Sequence, residues 1–183
     1  NVKSGWDKKK IDDEKIKEEQ KEILKAQEDL KKEQEKIFKC QGDNLNKWKD
    51  CKGTYKSDSG HEYSGLFKNG KIIKGVSIYP GGSKYVGLFL NFKPEGYGTF
   101  LWANGDRYYG NWKSGKTHGK GTKLWKDGRE YVGQFKNDKL HGEGSLYYPD
   151  GKIYEGEFLN GKRHGEGAFI YPDGTAFVGK FVK

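Results

Sequence analysis

The chain has 183 residues, of which 33% are charged and 32% are hydrophobic, and its mean hydropathy is −1.04. This composition argues against a membrane-spanning segment and against a large globular core. Aromatic residues (15%) and 28 glycines are nevertheless too frequent for a disordered chain. Only three aromatics and two glycines precede residue 51, so the chain divides into two regions of different composition.

Residues 7–38 are rich in Glu, Lys, Gln and Leu and lack Gly and Pro, which predicts one long α-helix within an N-terminal unit of residues 1–39. Gln recurs every seven residues in register with an apolar seam. The seam consists of Ile16, Ile23, Leu30 and Ile37. The strict period favours a coiled coil with another helix, and hence a homo-oligomer. Docking of the helix on the chain's own sheet and a solvated stalk are the alternatives.

Cys40 and Cys51 flank a Gly/Asn/Asp-rich loop, residues 40–51, that joins the two regions. A disulfide between them would contribute about 2–4 kcal/mol and requires an oxidising compartment. Two unrelated free thiols are the alternative, and zinc is disfavoured because no His lies beside the loop. The chain begins at Asn1 and contains no Met, as expected either of a mature chain after removal of a signal peptide or of a trimmed chain. We therefore expect an extracytoplasmic location, periplasmic or secreted, with the cytoplasm as the alternative.

Residues 52–183 contain an aromatic-x-Gly-x-aromatic unit that recurs at steps of 22 or 23 residues, which indicates a repeat array. The six copies are Tyr63-x-Gly65-x-Phe67, Tyr85-x-Gly87-x-Phe89, Tyr108-x-Gly110-x-Trp112, Tyr131-x-Gly133-x-Phe135, Tyr154-x-Gly156-x-Phe158 and Phe177-x-Gly179-x-Phe181. The three repeated residues share one face of a strand. We expect them to form the repeat core, with rings of neighbouring strands lying over the glycine backbone.

Each period predicts two strands and two turns. A Gly-rich turn, such as residues 115–119, follows the first strand, and the second strand ends at a hairpin dipeptide such as Asn104-Gly105 or Asp127-Gly128. A single hairpin is not stable alone, but stacked hairpins share a continuous aromatic seam.

The combined pattern Tyr-x-Gly-x-Phe, Gly-Lys-x-x-His-Gly-x-Gly and Tyr-Pro-Asp-Gly resembles the MORN (membrane occupation and recognition nexus) repeat. The resemblance covers residues 52–183 as about six repeats, of which the first and last are irregular. It implies a mainly β fold: an elongated, single-layer antiparallel sheet of stacked hairpins, here preceded by one long α-helix. It also implies a scaffold that binds protein partners or dimerises, with lipid binding as a further association of the family.

No catalytic, cofactor or metal site is expected. His118, His141 and His164 recur every 23 residues, but two strands separate successive copies by about 10 Å, too far for one zinc ion. These histidines are therefore interpreted as turn residues. No phosphate-binding loop between a strand and a helix is present, so the chain is predicted not to be an enzyme.

The net charge of +9 falls almost entirely on residues 40–183. This charge favours acidic partners or anionic lipid, whereas nucleic acid is disfavoured because no basic run of five residues occurs. A solvated basic surface is the alternative. Two further hypotheses are self-assembly through the edge of the last strand, residues 177–183, and partner binding in a groove lined by the aromatic row.

Positions that vary between repeats are free to bind a partner. On the first strand of each repeat they face away from the aromatic row, and they are apolar mainly in the N-terminal half. The candidate partner surface consists of Leu66, Val86, Leu88, Tyr109 and Val132. The sequence therefore predicts a non-enzymatic scaffold for protein–protein interaction or self-assembly through an extended aromatic sheet, with peripheral binding to anionic lipid as the alternative.

Overall fold

The computed structural model describes residues 21, 25, 39–42 and 44–182. A 3-10 helix (Leu45–Lys47) precedes one antiparallel sheet of 12 strands, which lie side by side in chain order. The strands are β1 (Cys51–Lys56), β2 (Glu62–Lys68), β3 (Lys71–Ile78), β4 (Lys84–Leu90), β5 (Lys93–Leu101), β6 (Arg107–Lys113), β7 (Lys116–Leu124), β8 (Glu130–Lys136), β9 (Lys139–Tyr147), β10 (Ile153–Leu159), β11 (Lys162–Ile170) and β12 (Ala176–Phe181).

This architecture confirms the predicted mainly β sheet of stacked hairpins. The predicted helix over residues 1–39 falls outside the described residues, apart from Lys21, Lys25 and Lys39. Its seam residues Ile16, Ile23, Leu30 and Ile37 also lie outside them.

One glycine from every strand lies in a single row that crosses the sheet from edge to edge. Gly53 pairs with Gly65, and Gly65 with Gly75. The row continues through Gly87, Gly98, Gly110, Gly121, Gly133, Gly144, Gly156, Gly167 and Gly179. A strip of backbone without side chains therefore runs perpendicular to the strands.

Tyrosine rings occupy this strip. A Cβ placed on Gly110 would lie 2.6 Å from Oη of Tyr108, and one placed on Gly121 would lie 2.5 Å from the same atom. Tyr108 precedes Gly110 by two residues on β6, so its ring lies along its own strand and also covers the paired glycine of β7. The prediction that rings of neighbouring strands cover the glycines was therefore incomplete, because each tyrosine covers a glycine of its own strand as well.

The hydroxyl of each central tyrosine donates a hydrogen bond to the backbone carbonyl three residues later. The bonds run from Tyr85 to Leu88 (2.9 Å), Tyr108 to Asn111 (2.9 Å), Tyr131 to Gln134 (2.9 Å) and Tyr154 to Glu157 (3.0 Å). These four tyrosines are fully buried, so each bond compensates for the loss of water at the phenol oxygen.

The rings also contact one another edge to face. Tyr108 packs at 5.2 Å between ring centroids against Trp112 of its own strand, and at 4.9 Å against Phe135 of the next repeat. Tyr131 and Tyr154 repeat the arrangement with the ring of their own strand and that of the next repeat. The core of the sheet thus lies on one side, here called the aromatic face; the other side is called the opposite face.

The turn after each Tyr-containing strand is shorter than the predicted Gly-rich segment. Ser114 (φ 51°) and Gly115 (φ 82°) form a tight turn, and β7 already begins at Lys116. Pairing then shifts between β6 and β7, where Gly119 (φ 61°) lies in the irregular stretch. Residues 115–119 are therefore mostly strand with a bulge, because positive φ at two positions suffices to reverse the chain.

A disulfide joins Cys40 to Cys51 at the start of β1, with a Cα–Cα distance of 5.0 Å. The Cys40 backbone N–H also donates to the Lys52 carbonyl at 2.8 Å, and Trp48 packs edge-on against Phe67 at 4.8 Å. These contacts fix the segment that precedes the sheet to its first two strands.

Substitution of a row glycine should destabilise the sheet. In Gly121→Ala the new methyl group would collide with the Tyr108 ring, so we expect the free energy of unfolding to fall by about 1–3 kcal/mol. Gly81→Ala is the matched control, since a Cβ there meets nothing within 4 Å. Chemical denaturation of both variants tests this, and equal unfolding midpoints would contradict the role of the row.

Alkaline pH should unfold the protein in a way that reports the buried tyrosines. Burial raises the pKa of Tyr79 to about 12, and it also raises the pKa of Tyr85, Tyr108 and Tyr131 above 10.0. Below pH 10.0 these phenols are protonated in both states, whereas above it only the unfolded chain releases the protons. The free energy of unfolding should therefore fall from about pH 10 upwards. Tyr85→Phe should weaken this pH dependence, and an unchanged slope would argue against it.

The disulfide should be complete in the native protein. Thiol alkylation followed by mass measurement should find no free cysteine. Reduction should lower the free energy of unfolding by about 2–4 kcal/mol, because the unfolded chain gains the freedom of the opened loop. Alkylation of both cysteines in unreduced protein would refute the pairing.

Candidate binding groove

The predicted repeat-core rings lie on the aromatic face. All are buried except those of the terminal strand β12, where Phe177 is 56% exposed and Phe181 is half-buried. The buried members are Tyr63, Phe67, Tyr85, Phe89, Tyr108, Trp112, Tyr131, Phe135, Tyr154 and Phe158. Because the four central tyrosines are inaccessible, the row itself supports the sheet rather than offering its rings to a partner.

A second set of aromatic side chains lies beside this row, just before the hairpin turns. Its members also recur every 23 residues and are half-buried: Tyr79, Trp102, Trp125 and Tyr148. They border a groove of about 910 Å³ whose floor includes Trp112, Phe135 and Phe158. This volume lies within the range of ligand sites in proteins. Their 23-residue spacing is visible in the sequence, whereas their position beside the groove is not.

Cationic side chains lie on the rings of the groove. Lys123 Nζ is 4.8 Å from the ring centroid of Trp102 and 5.1 Å from that of Trp125. The Arg129 guanidinium carbon is 5.0 Å from the Trp125 centroid, and Arg129 also forms an ion pair with Asp127 at 2.8 Å. The guanidinium group of Arg163 lies within 6 Å of the ring centroids of Tyr154, Phe169 and Phe181.

Lys123 occupies a position that is hydrophobic in the neighbouring repeats. It pairs in register with Tyr131, as Phe100 pairs with Tyr108 and Leu146 with Tyr154. Burial lowers the pKa of Lys123, and the charges of Asp106 and Asp138 partly offset that effect. The carboxylate of Asp138 is also used structurally, since its Oδ1 accepts a hydrogen bond from the Thr117 backbone at 2.8 Å.

The groove lining carries more positive than negative charge. Its cationic residues are Lys123, Arg129, Lys139, Lys162 and Arg163, and its anionic residue is Asp138. Flat half-buried rings beside cations suit a ligand with apolar and acidic groups.

The candidate partner residues all lie on the opposite face. They are Leu66, Val86, Leu88, Tyr109 and Val132, and Leu88 is 44% exposed. The C-terminal half of this face differs in charge. A cavity of about 790 Å³ extends along this face from Tyr97 to Ala168, and its charged lining consists of Lys120 with Glu143, Glu155, Glu157 and Glu166.

The recurring histidines lie within strands β7, β9 and β11 rather than in the turns. The backbone carbonyls of His141 and His164 each accept a hydrogen bond of 3.4 Å, from Tyr131 and Tyr154 respectively. Among the residues that the structure describes, no group of three or more His, Cys, Asp or Glu could hold a metal ion. Within the same residues, no helix is long and apolar enough to cross a membrane.

Comparison with known proteins gives one family. No curated protein shows significant sequence similarity to the chain. One similar solved structure is the SAS-4 (dCPAP) TCP domain of Drosophila melanogaster in complex with a proline-rich motif of Ana2 (dSTIL). It is 12% identical with a TM-score of 0.43, covering 68% of this chain and 70% of that one.

Four stretches match the family model of the MORN repeat: residues 85–107, 108–128, 131–153 and 154–176. The MORN repeat is a non-catalytic repeat. The match confirms the resemblance carried by the Tyr-x-Gly-x-aromatic and His-Gly patterns. The chain contains four consecutive MORN repeats.

Proposed function

We propose that the chain is a non-enzymatic scaffold whose groove on the aromatic face binds a segment of a partner protein. The observation that carries the proposal is the pair of half-buried tryptophans, Trp102 and Trp125, with Lys123 between them. Partly accessible tryptophans in a concave site are the side chains that contribute most to protein–protein binding.

The partner segment should carry acidic and apolar side chains. One acidic group would meet Lys123 and Arg129 beside Trp125, and a second, further along the segment, would meet Arg163 on β11. An apolar group would displace water from the faces of Trp102 and Trp125. Because the buried tyrosine row fixes the floor of the groove, little conformational freedom remains to be lost on binding.

Self-assembly through the sheet edge is a second candidate function. The last described strand, β12, has neighbouring strand β11 on one side only, and Val178 is 74% exposed. An open edge of this kind can pair with a strand of another copy.

Peripheral binding to anionic lipid remains the alternative use of the positive charge. Two of the cations favour the protein partner, since Lys123 and Arg129 lie half-buried against rings inside the groove. The acidic cavity on the opposite face would in turn repel an anionic membrane.

The disulfide bears on where this binding occurs. A Cys40–Cys51 bridge forms and persists in an oxidising environment. We therefore propose that the protein acts outside the cytoplasm.

Peptide selection tests the groove. A random peptide library displayed on phage and selected on the full chain should yield sequences enriched in acidic and apolar residues. Calorimetry with a synthetic selected peptide should show binding that is at least about tenfold weaker for Trp125→Ala, as expected for a central tryptophan. The matched control is Leu124→Ala, the last residue of β7, which directly precedes Trp125 but lies on the opposite face and should bind as the wild type does.

Two results would contradict the proposal. One is equal binding of the selected peptide to the wild type and Trp125→Ala, and the other is selection without acidic enrichment. Cosedimentation with phosphatidylcholine vesicles, with and without phosphatidylserine, tests the alternative. Salt-sensitive binding to the anionic vesicles alone, together with a failed peptide selection, would support the lipid function instead.

A further inference from the structure

The opposite face carries an apolar patch in the N-terminal half of the sheet. Five of its side chains, from strands β3, β4 and β5, are more than a third exposed. They are Ile78 (44%), Leu88 (44%), Leu90 (57%), Tyr97 (36%) and Leu101 (39%). All five side chains lie on the opposite face. Each of these residues either pairs in register with a residue of that face or lies two positions along its strand from one that does. We call these five residues the apolar patch.

The patch is local. Further along the same face, β9 to β11 present Glu143, Glu155, Glu157 and Glu166. The five side chains lie on both sides of the half-buried Val76 and Val86, with Lys74 and Lys84 among them. Exposed apolar surface of this kind beside a charged region marks a surface that something else covers. The cover has to fit strands β3 to β5 and to stop before the acidic residues.

The chain's own N-terminal segment joins the sheet near this region. Lys39 forms a parallel bridge with Lys52 on β1, and the Cys40–Cys51 disulfide fastens the same point. Lys52 pairs with Leu66 on β2, which pairs in turn with Lys74 on β3, the register partner of Leu88. The 38 residues before Lys39 therefore reach the sheet at the edge nearest to the patch.

We propose that residues 7–38 form an amphipathic helix that covers the apolar patch of the same molecule. The stripe at Ile16, Ile23, Leu30 and Ile37 supplies the apolar surface. Thirty-two helical residues extend about 48 Å, whereas three strands at about 4.8 Å occupy about 15 Å, so the segment is long enough in any orientation. The Lys39–Lys52 bridge and the disulfide, whose sulfur atoms pack on the aromatic face, fix the end of the segment at the β1 edge of the sheet. This attachment favours a contact within the molecule over one between molecules.

This arrangement assigns different tasks to the two faces. The N-terminal segment lies behind the sheet and shields the patch, while the groove on the aromatic face stays open. The inference rests on the patch and on the attachment of the segment, so it stands independently of the peptide-binding proposal.

Thiol accessibility in the full chain tests the inference. With Cys40 and Cys51 in a disulfide, Leu88→Cys introduces a single free thiol in the patch, and Val178→Cys introduces one at the far end of the same face. The exposed fractions of the two wild-type residues in the described sheet, 44% and 74%, differ by less than twofold. If the segment covers the patch, Leu88→Cys should react with an alkylating reagent at least about tenfold more slowly than Val178→Cys.

A second pair of substitutions, in the N-terminal segment, tests whether that segment is what covers the patch. Ile23→Asp combined with Leu30→Asp interrupts the apolar stripe at its two central positions without changing a residue of the sheet. It should bring the Leu88→Cys rate to within about twofold of the control. Both rates should be the same at protein concentrations about 100-fold apart, because the contact is intramolecular.

Three results would overturn the inference. Equal rates for both thiols in the otherwise wild-type chain would show an open patch. Protection that increases with protein concentration would show that a second copy is the cover. Protection that persists in the Ile23→Asp/Leu30→Asp background would show that the stripe is not involved. Mass measurement of each variant verifies that the Cys40–Cys51 disulfide has not exchanged with the added thiol.

Discussion

The contact between a tyrosine ring and a pair of bare glycines is the constraint on which the rest of this structure depends. A single-layer sheet has no second layer to bury its side chains, so it needs a core within its own thickness. Removing the Cβ at every position of one row lets the rings lie on the backbone, and their hydroxyls bond to nearby carbonyls. The same contact fixes the register, because a one-residue shift would place a Cβ under the rings.

This construction leaves the two faces with unequal freedom. On the aromatic face, the repeated rings restrict which residues can differ between repeats. Position 123 is one that does differ, and there the size and charge of a single side chain alter the groove. On the opposite face, the side chains of Leu88, Asn111, Gln134 and Glu157 make a repeated contact with the bulge glycine of the next strand, and that contact accepts four different residue types. The face changes from apolar around Leu88 to acidic around Glu155. Surface chemistry can therefore differ between the ends of the sheet while the backbone pairing stays uniform.

The fold could be predicted from the sequence because its determinants are local and periodic. The 23-residue step, the Tyr-x-Gly-x-aromatic unit and the Asn-Gly or Asp-Gly turns specify strands and hairpins without reference to distant residues. The bulge near Gly119 was missed, since it depends on pairing between strands. The groove was missed in part as well: Trp102 and Trp125 follow the same period, but their distance from Lys123 depends on the three-dimensional path of the chain.

Lys123 shows how a repeat array acquires a specific site. Its neighbours at the equivalent register position, Phe100 and Leu146, strengthen the core, whereas burial of a lysine there disfavours its charge and lowers its pKa. Trp102 and Trp125 compensate in part, because their ring faces attract the ammonium group. An acidic partner group would complete that compensation, and it would find the charge already held between two flat apolar surfaces. The departure from the repeat pattern thus sets both the position and the charge of the preferred ligand.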